Sequence, residues 1–231
     1  MQQYFIDKEI KIGDAVLLDS EILFHLRQVL RKKNAYTFRL VDAQNNLFLA
    51  ELSDDKAIIK ERLEEDRELD IDVTIIVSLI KNDKFDFCLQ KLTELGVTRI
   101  VPYEASRSII KIKDKKVKLD RYRKIVKEAS EQSLRSYTPI IDDIIDIKSL
   151  SKYKSKYNYV AYEKNFANYI PYRDIDESVT VIIGPEGGFE LQEIDEFEKI
   201  GFKCISLGNR ILRAETAALY VMSNISGARE K

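Results

Sequence analysis

The chain has one histidine (His25), two cysteines (Cys88 and Cys204) and no tryptophan in 231 residues. A single histidine excludes a histidine-rich metal centre, and any histidine base would have to be His25. Two cysteines far apart in sequence offer neither a disulfide framework nor a ladder of metal-ligating thiols. Both lie in apolar patterns and read as free core thiols, so a reducing cytoplasm is the expected location. No apolar run approaches membrane-spanning length and the first residues carry no secretory signal pattern. No metal and no membrane association are therefore expected. The chain is 45% hydrophobic and 33% charged, ordinary for a globular protein of one large domain or two modest ones. A net charge of −1 means that any polyanion-binding face must be local.

What is present is organised around Ile183-Gly184-Pro185-Glu186-Gly187-Gly188-Phe189. The β-branched run Val179–Ile183 before it reads as a buried strand. After it Leu191, Ile194, Phe197 and Ile200 recur at helical spacing. The glycines thus sit where a strand turns into a helix, the place where open α/β sheets bind ligands. Phosphate is the default occupant of such a loop. The spacing, however, is neither G-x-G-x-x-G nor a P-loop, and no lysine follows the glycines. Glu186, Glu190 and Glu193 add negative charge that would repel a phosphate. A neutral or cationic ligand fits better; from spacing alone a tight structural turn fits as well.

Leu207-Gly208-Asn209-Arg210-Ile211-Leu212-Arg213-Ala214-Glu215-Thr216-Ala217-Ala218 repeats the logic. Phe202–Leu207 reads as a strand, Gly208-Asn209 as a turn, and a strongly apolar helix starts near Ala214. A helix apolar over so much of its circumference is buried or lies in a subunit interface. Arg210 and Arg213 stand on the loop just before it, free to act or to pair with acidic neighbours.

Residues 1–68 look β-rich, with strand candidates at Gln3–Ile6, Ala15–Leu18, Tyr36–Asp42, Leu47–Leu52 and Ala57–Leu63 and a turn at Asn45-Asn46. Ser20 can cap a helix through Leu30 that leaves His25, Arg27 and Arg31 largely off its apolar face. The charge run Glu64–Glu68 is the expected domain boundary. From Ile71 strands and helices alternate, which indicates α/β architecture with a largely parallel sheet. Strands are expected at Ile71–Leu79, Thr98–Pro102 and Tyr157–Tyr162, and a helix at Asp83–Leu95 ended by Gly96. Lys81 and Lys84 flank the turn before that helix. Residues 107–136 hold eleven basic side chains, including Arg107, Lys111, Lys113 and Arg135, against four acidic ones. Such clustering suits a polyanion partner or a solvated helix face.

These residues together resemble the trefoil-knot (SPOUT) RNA methyltransferases. More closely, they resemble the family that methylates N3 of a uridine in bacterial 16S ribosomal RNA. The likeness rests on I-G-P-E-G-G-F and L-G-x-R-I-L-R-A-E-T-A-A, and also on His25–Arg31, Gln90–Val97, Arg107-Ser108, and Glu128–Ser133 with Arg135. These segments follow the family's order and span most of the chain. Lys148–Asp176 matches weakly, and Ala214 stands where many relatives carry threonine.

The resemblance implies a PUA-like β-barrel RNA-binding domain at 1–68 and a knotted SPOUT methyltransferase domain at 69–231. It implies S-adenosylmethionine as methyl donor, a cation that tolerates an acidic loop. Ile183, Gly184, Glu186, Gly187, Gly188, Leu207, Gly208, Ile211, Leu212 and Ala217 would hold it, with the glycines permitting close approach. RNA would meet His25, Arg27, Arg31, Lys81, Lys84, Arg107 and Arg135. N3 must lose its proton, and the charge spreads onto O2 and O4, where Arg213 or Arg210 could serve as donor. Glu215, Glu186 or solvent could take the proton. The target base must be unpaired or flipped out, with Tyr103, Tyr137 or Phe189 available for stacking. The partners implied are 16S rRNA in the 30S subunit and a second copy of the chain, since the family works as a homodimer. Two other readings remain open: a SPOUT enzyme acting on another RNA site or a ribose 2′-OH, and a non-catalytic RNA-binding ribosome-assembly protein.

Overall fold

The computed structural model describes residues 1–108, 110, 114–163 and 168–229. Lys111 and Lys113 of the basic stretch lie outside them. The chain divides into two compact units, Met1–Glu68 with Ser130–Tyr137, and Leu69–Ala129 with Thr138–Lys231.

The first unit is a five-stranded sheet in the order β1-β3-β4-β5-β2. Its strands are β1 (Gln3–Phe5), β2 (Ala15–Leu17), β3 (Thr37–Val41), β4 (Leu47–Ser53) and β5 (Lys56–Leu63). Only β1 and β3 run parallel. The expected turn between β3 and β4 is an Asx turn, in which the Asp42 carboxylate accepts from the N–H groups of Gln44 at 2.9 Å and Asn46 at 2.8 Å. Helix α1 (Ser20–Phe24) runs on as a π-helical turn over His25–Val29. Its cap is Asp19 rather than Ser20. Asp19 holds the extended cap conformation and accepts from Ile22 N–H at 2.8 Å.

A sequence reading that cuts at residue 68 leaves 130–137 in the second unit, yet the structure groups this segment with the first. Long-range polar contacts draw it there. The Gln3 side chain donates to the Arg135 carbonyl at 2.7 Å, and Phe5 N–H donates to Glu131 at 3.2 Å. The Arg135 guanidinium is paired with Glu68 at 2.7 Å. No short-range pattern announces such bonds.

The second unit is a six-stranded, wholly parallel sheet in the order β11-β9-β10-β6-β7-β8. The strands are β6 (Val73–Ser78), β7 (Arg99–Tyr103), β8 (Ile140–Ile141), β9 (Tyr157–Ala161), β10 (Val179–Ile183) and β11 (Lys203–Ile205). The expectation of α/β architecture holds, with strand ends trimmed by one or two residues. Strands β6 and β10 are buried along their whole length, the mark of a sheet covered on both faces. On one face α2 (Asn82–Glu94), α3 (Lys115–Gln132) and α5 (Ala214–Arg229) place Phe85, Leu89, Tyr122, Val221 and Met222 against Ile75, Val77 and Val181. On the other, α4 (Leu191–Ile200) places Ile194 and Phe197 against Ile76, Val101, Val160 and Ile182. The apolar circumference of α5 is therefore consumed inside its own unit, against α2, β6 and β10.

The order reverses between β6 and β10. The chain first runs outward through β7 and β8, then returns to lay β9, β10 and β11 on the other side. Loops at the carboxyl ends of these strands gather beside that switch point. Among the described residues, no helix is long and apolar enough to cross a membrane and no cluster could hold a metal ion.

Candidate active site

Because β9, β10 and β11 are parallel, the loops that follow them emerge at one end of the sheet. Tyr162-Glu163, Gly184–Phe189 and Ser206–Arg213, with Lys84 of α2 and Ala214 and Ala217 of α5, enclose a cavity of about 850 Å³. That lies within the ~300–1,000 Å³ of small-molecule sites. The structure brings the expected binding residues together: Ile183, Gly184, Glu186, Gly187, Gly188, Leu207, Gly208, Ile211, Leu212 and Ala217 all line this space. Arg210 and Arg213 line it too. Both are exposed, and among the described residues neither guanidinium is engaged in a hydrogen bond or ion pair.

The glycines work differently from expectation. A Cβ at Gly184 would stand 3.0 Å from the Phe189 ring, and one at Gly187 would stand 3.3 Å from Arg107. Their missing side chains make room for neighbouring parts of the protein itself. Gly208 differs: its φ is +114° and nothing lies within 4 Å of a built Cβ. Gly188, at φ +65°, closes a turn with its N–H on the Pro185 carbonyl at 2.9 Å.

The stacking candidates are corrected. Phe189 is 5% exposed and packs edge-on against Phe197 with centroids 5.0 Å apart. Tyr103 is 1% exposed and donates its hydroxyl to Glu193 at 2.8 Å. Tyr137, in the first unit, already carries the Arg135 guanidinium over its ring at 4.8 Å.

Two charged residues exchange roles. Glu215 does not line the cavity, while Lys84 does. Lys84 Nζ sits 3.2 Å from Glu215 Oε1, and the Glu215 side chain is only 14% exposed. Glu215 is thus the half-buried counter-charge of Lys84, and Lys84 stands on the cavity wall. Cys88, one turn further along α2, is a core thiol whose pKa burial pushes up to about 12, with the Glu215 charge adding to the shift.

The expected RNA contacts divide similarly. Arg135 is 3% exposed in its pair with Glu68, and Arg27 is spent on the Lys32 and Asp54 carbonyls at 3.0 and 2.8 Å and on the Asn34 side chain. Arg135 is buried in its ion pair, whereas Arg27 is half-buried and three of its five N–H donors are engaged. Arg107 donates to the Gly187 carbonyl at 3.1 Å. Lys81 and Arg31 are exposed. His25 is half-buried, with Nδ1 2.9 Å from the Tyr4 hydroxyl, whose pKa burial raises first and Glu131 second. In the basic helix α3, Arg121 pairs with Asp86, Arg123 with Asp120 and Lys115 with Glu104. Much of the charge of the run is answered locally.

A residue that the motif reading passed over organises the loop. Glu193, 4% exposed, forms a capping box with Glu190 at the start of α4 and also reaches Tyr103 and the Ser106 N–H. The spacing from Glu190 to Glu193 signals a capping box; the link to Ser106 has no sequence signature.

Comparison with known proteins follows this geometry. Residues 67–226 match the model of the RNA methyltransferase domain family. The chain is 34% identical to ribosomal RNA small subunit methyltransferase E of Bacillus subtilis, covering 98% of this chain and 96% of that protein. It is 31% identical to the Mesomycoplasma hyopneumoniae protein of the same name, covering 96% and 98%. The crystal structure of the Neisseria gonorrhoeae protein of that name, bound to S-adenosyl methionine, superposes with a TM-score of 0.90 at 29% identity over 98% and 97% of the two chains. With the cavity-lining loops inside the matched region, the chain belongs to the ribosomal RNA small subunit methyltransferase E family.

Proposed function

We propose that the chain methylates N3 of a specific uridine in 16S rRNA of the small ribosomal subunit, with S-adenosylmethionine as donor. The observation that carries the donor is the cavity at the ends of β9, β10 and β11. It is large enough, it presents Glu163 and Glu186, and its Gly-rich loop has no lysine to grip a phosphate. The two carboxylates suit a sulfonium cation. Gly184, Gly187, Gly188, Leu207, Gly208, Ile211 and Leu212 would hold its adenosine, and when bound it supplies an electrophilic methyl group.

The chain's own contribution is orientation and charge. Arg213 and Arg210, exposed at the cavity and without a partner among the described residues, would donate to O2 and O4 of a flipped-out uracil as N3 loses its proton. Lys84, fixed by Glu215, adds a third positive charge on the cavity wall. The N3 proton passes to Glu186 on the exposed lip or to solvent. Holding base and methyl group in line supplies much of the remaining acceleration.

The same reading takes the second unit as a trefoil knot and the first as a PUA-like RNA-binding barrel. In support of the knot, residues 206–213 after edge strand β11 line the same cavity as the 184–189 loop, and α5 seats against the central strands β6 and β10. Exposed Arg31 and half-buried His25 are the RNA-facing candidates left in the first unit. A second copy of the chain would cover Ile211, which is 87% exposed at the cavity lip. The enzyme acts in the cytoplasm, where ribosomes are assembled.

The test has two steps. Calorimetric titration with S-adenosylmethionine is expected to show binding. Nucleoside analysis of 16S rRNA from a deletion strain, before and after treatment of its small subunits with enzyme and donor, is expected to show N3-methyluridine appearing. A dimeric, folded protein that binds no donor defeats the enzyme reading; methyl groups on ribose defeat the choice of atom.

A further inference from the structure

We infer that Glu193 is a positioning residue for the donor-binding loop, and that it works through the segment after β7 rather than by touching ligand. The inference rests on the reading that Gly184–Phe189 holds the methyl donor.

Glu193 is 4% exposed, yet among the described residues no lysine or arginine is bonded to it. Three donors converge on its carboxylate. Tyr103 O–H and Ser106 N–H reach Oε1 at 2.8 and 3.0 Å, and Glu190 N–H reaches Oε2 at 3.0 Å. Its place in the first turn of α4 adds the positive end of the helix dipole. A carboxylate fits this arrangement because every neighbour is a donor; an amide would turn its NH₂ toward at least one of them.

The three donors belong to two different walls. Glu190 ends the Gly-rich loop. Tyr103 closes β7, and Ser106 lies in the segment beyond it. The next residue, Arg107, returns to the loop: Nη1 donates to the Gly187 carbonyl at 3.1 Å, and Nε lies 3.8 Å from Glu190. The loop is thus held at its end by Glu193 and near its middle by Arg107, whose own backbone neighbour is held by Glu193. Gly187 and Gly188 line the cavity. A shift of the Ser106–Arg107 segment would be passed to them through a single hydrogen bond.

Glu193→Gln and Tyr103→Phe are to be compared with wild type by calorimetry with S-adenosylmethionine, well below each variant's melting temperature. Kinetics of methyl transfer to small ribosomal subunits follow. Glu193→Gln is expected to weaken donor binding about tenfold, because a buried donor loses its acceptor. Its KM for the donor should rise by the same factor while KM for RNA stays put. Tyr103→Phe deletes one of the three donors and should weaken binding about threefold, and it still decides the question if Glu193→Gln fails to fold. A lowered melting temperature with unchanged donor affinity in the folded variants makes the network merely structural and overturns the inference. Wild type that binds no donor overturns the parent reading and this one with it.

Discussion

At the scale of single residues, the site separates groups that face the cavity from groups that hold them there. Arg213 is exposed and unpaired at the lip, so Arg213→Ala should leave calorimetric donor affinity within about twofold. Methyl transfer should fall about 10²-fold, the loss typical of removing one donor aimed at developing charge. Equal losses in both measurements would make Arg213 a donor-binding residue instead. Cys88 makes a separate prediction. Burial raises its pKa from 9.0 to about 12, so the folded state binds the thiol proton more tightly than the unfolded chain. The stabilising contribution is therefore whole below pH 9 and is lost as pH rises toward 12. Urea midpoints across this window should decline more steeply for wild type than for Cys88→Ala. Alkylation of Cys88 at pH 8 should require unfolding.

At the scale of elements, α4 is clamped at both ends. Its start is the Glu190–Glu193 capping box, and Gly201 at φ +104° closes its end. Between them Phe197 is fully buried and touches both Phe189 and Tyr103 edge-on. Phe197→Ala should cost about 3–5 kcal/mol in urea unfolding and loosen the loop that Phe189 anchors. A cost under 1 kcal/mol would mean that the neighbouring rings collapse into the space. The helices and strands were readable because their signals are local: β-branched runs for β6 and β10, and apolar spacing for α2 and α4. The two motif loops of the cavity were legible for the same reason, since both sit on strand-to-helix turns, whereas Tyr162, Glu163 and the place of Lys84 on its wall were not. The roles of Glu215, Arg27 and Arg135 were not, because a charge that is buried and paired looks in sequence like one that is free. Glu193 escaped because its partners lie 87 and 90 positions away.

At the scale of the whole molecule, the question is what covers Ile211. A side chain 87% exposed beside a cavity gains from a partner surface. The proposed dimer predicts that light scattering will find two copies for wild type and one for Ile211→Glu, with donor affinity reduced in step. A dimer that survives the substitution moves the interface elsewhere.

The strand order also governs how the chain can be made. Among the described residues strand β9 pairs only with β10 and β11, both of which come later in sequence. When a ribosome has released residues 157–161, that strand has no neighbour, and β6 presents an open edge. Only the arrival of β10 between them closes the gap. Chains arrested between these two strands would expose two unpaired edges at once, making them substrates for chaperones and seeds for aggregation. Among the described elements β11 and α5 emerge last, and they also complete the cavity, so the cavity cannot form before both have been made.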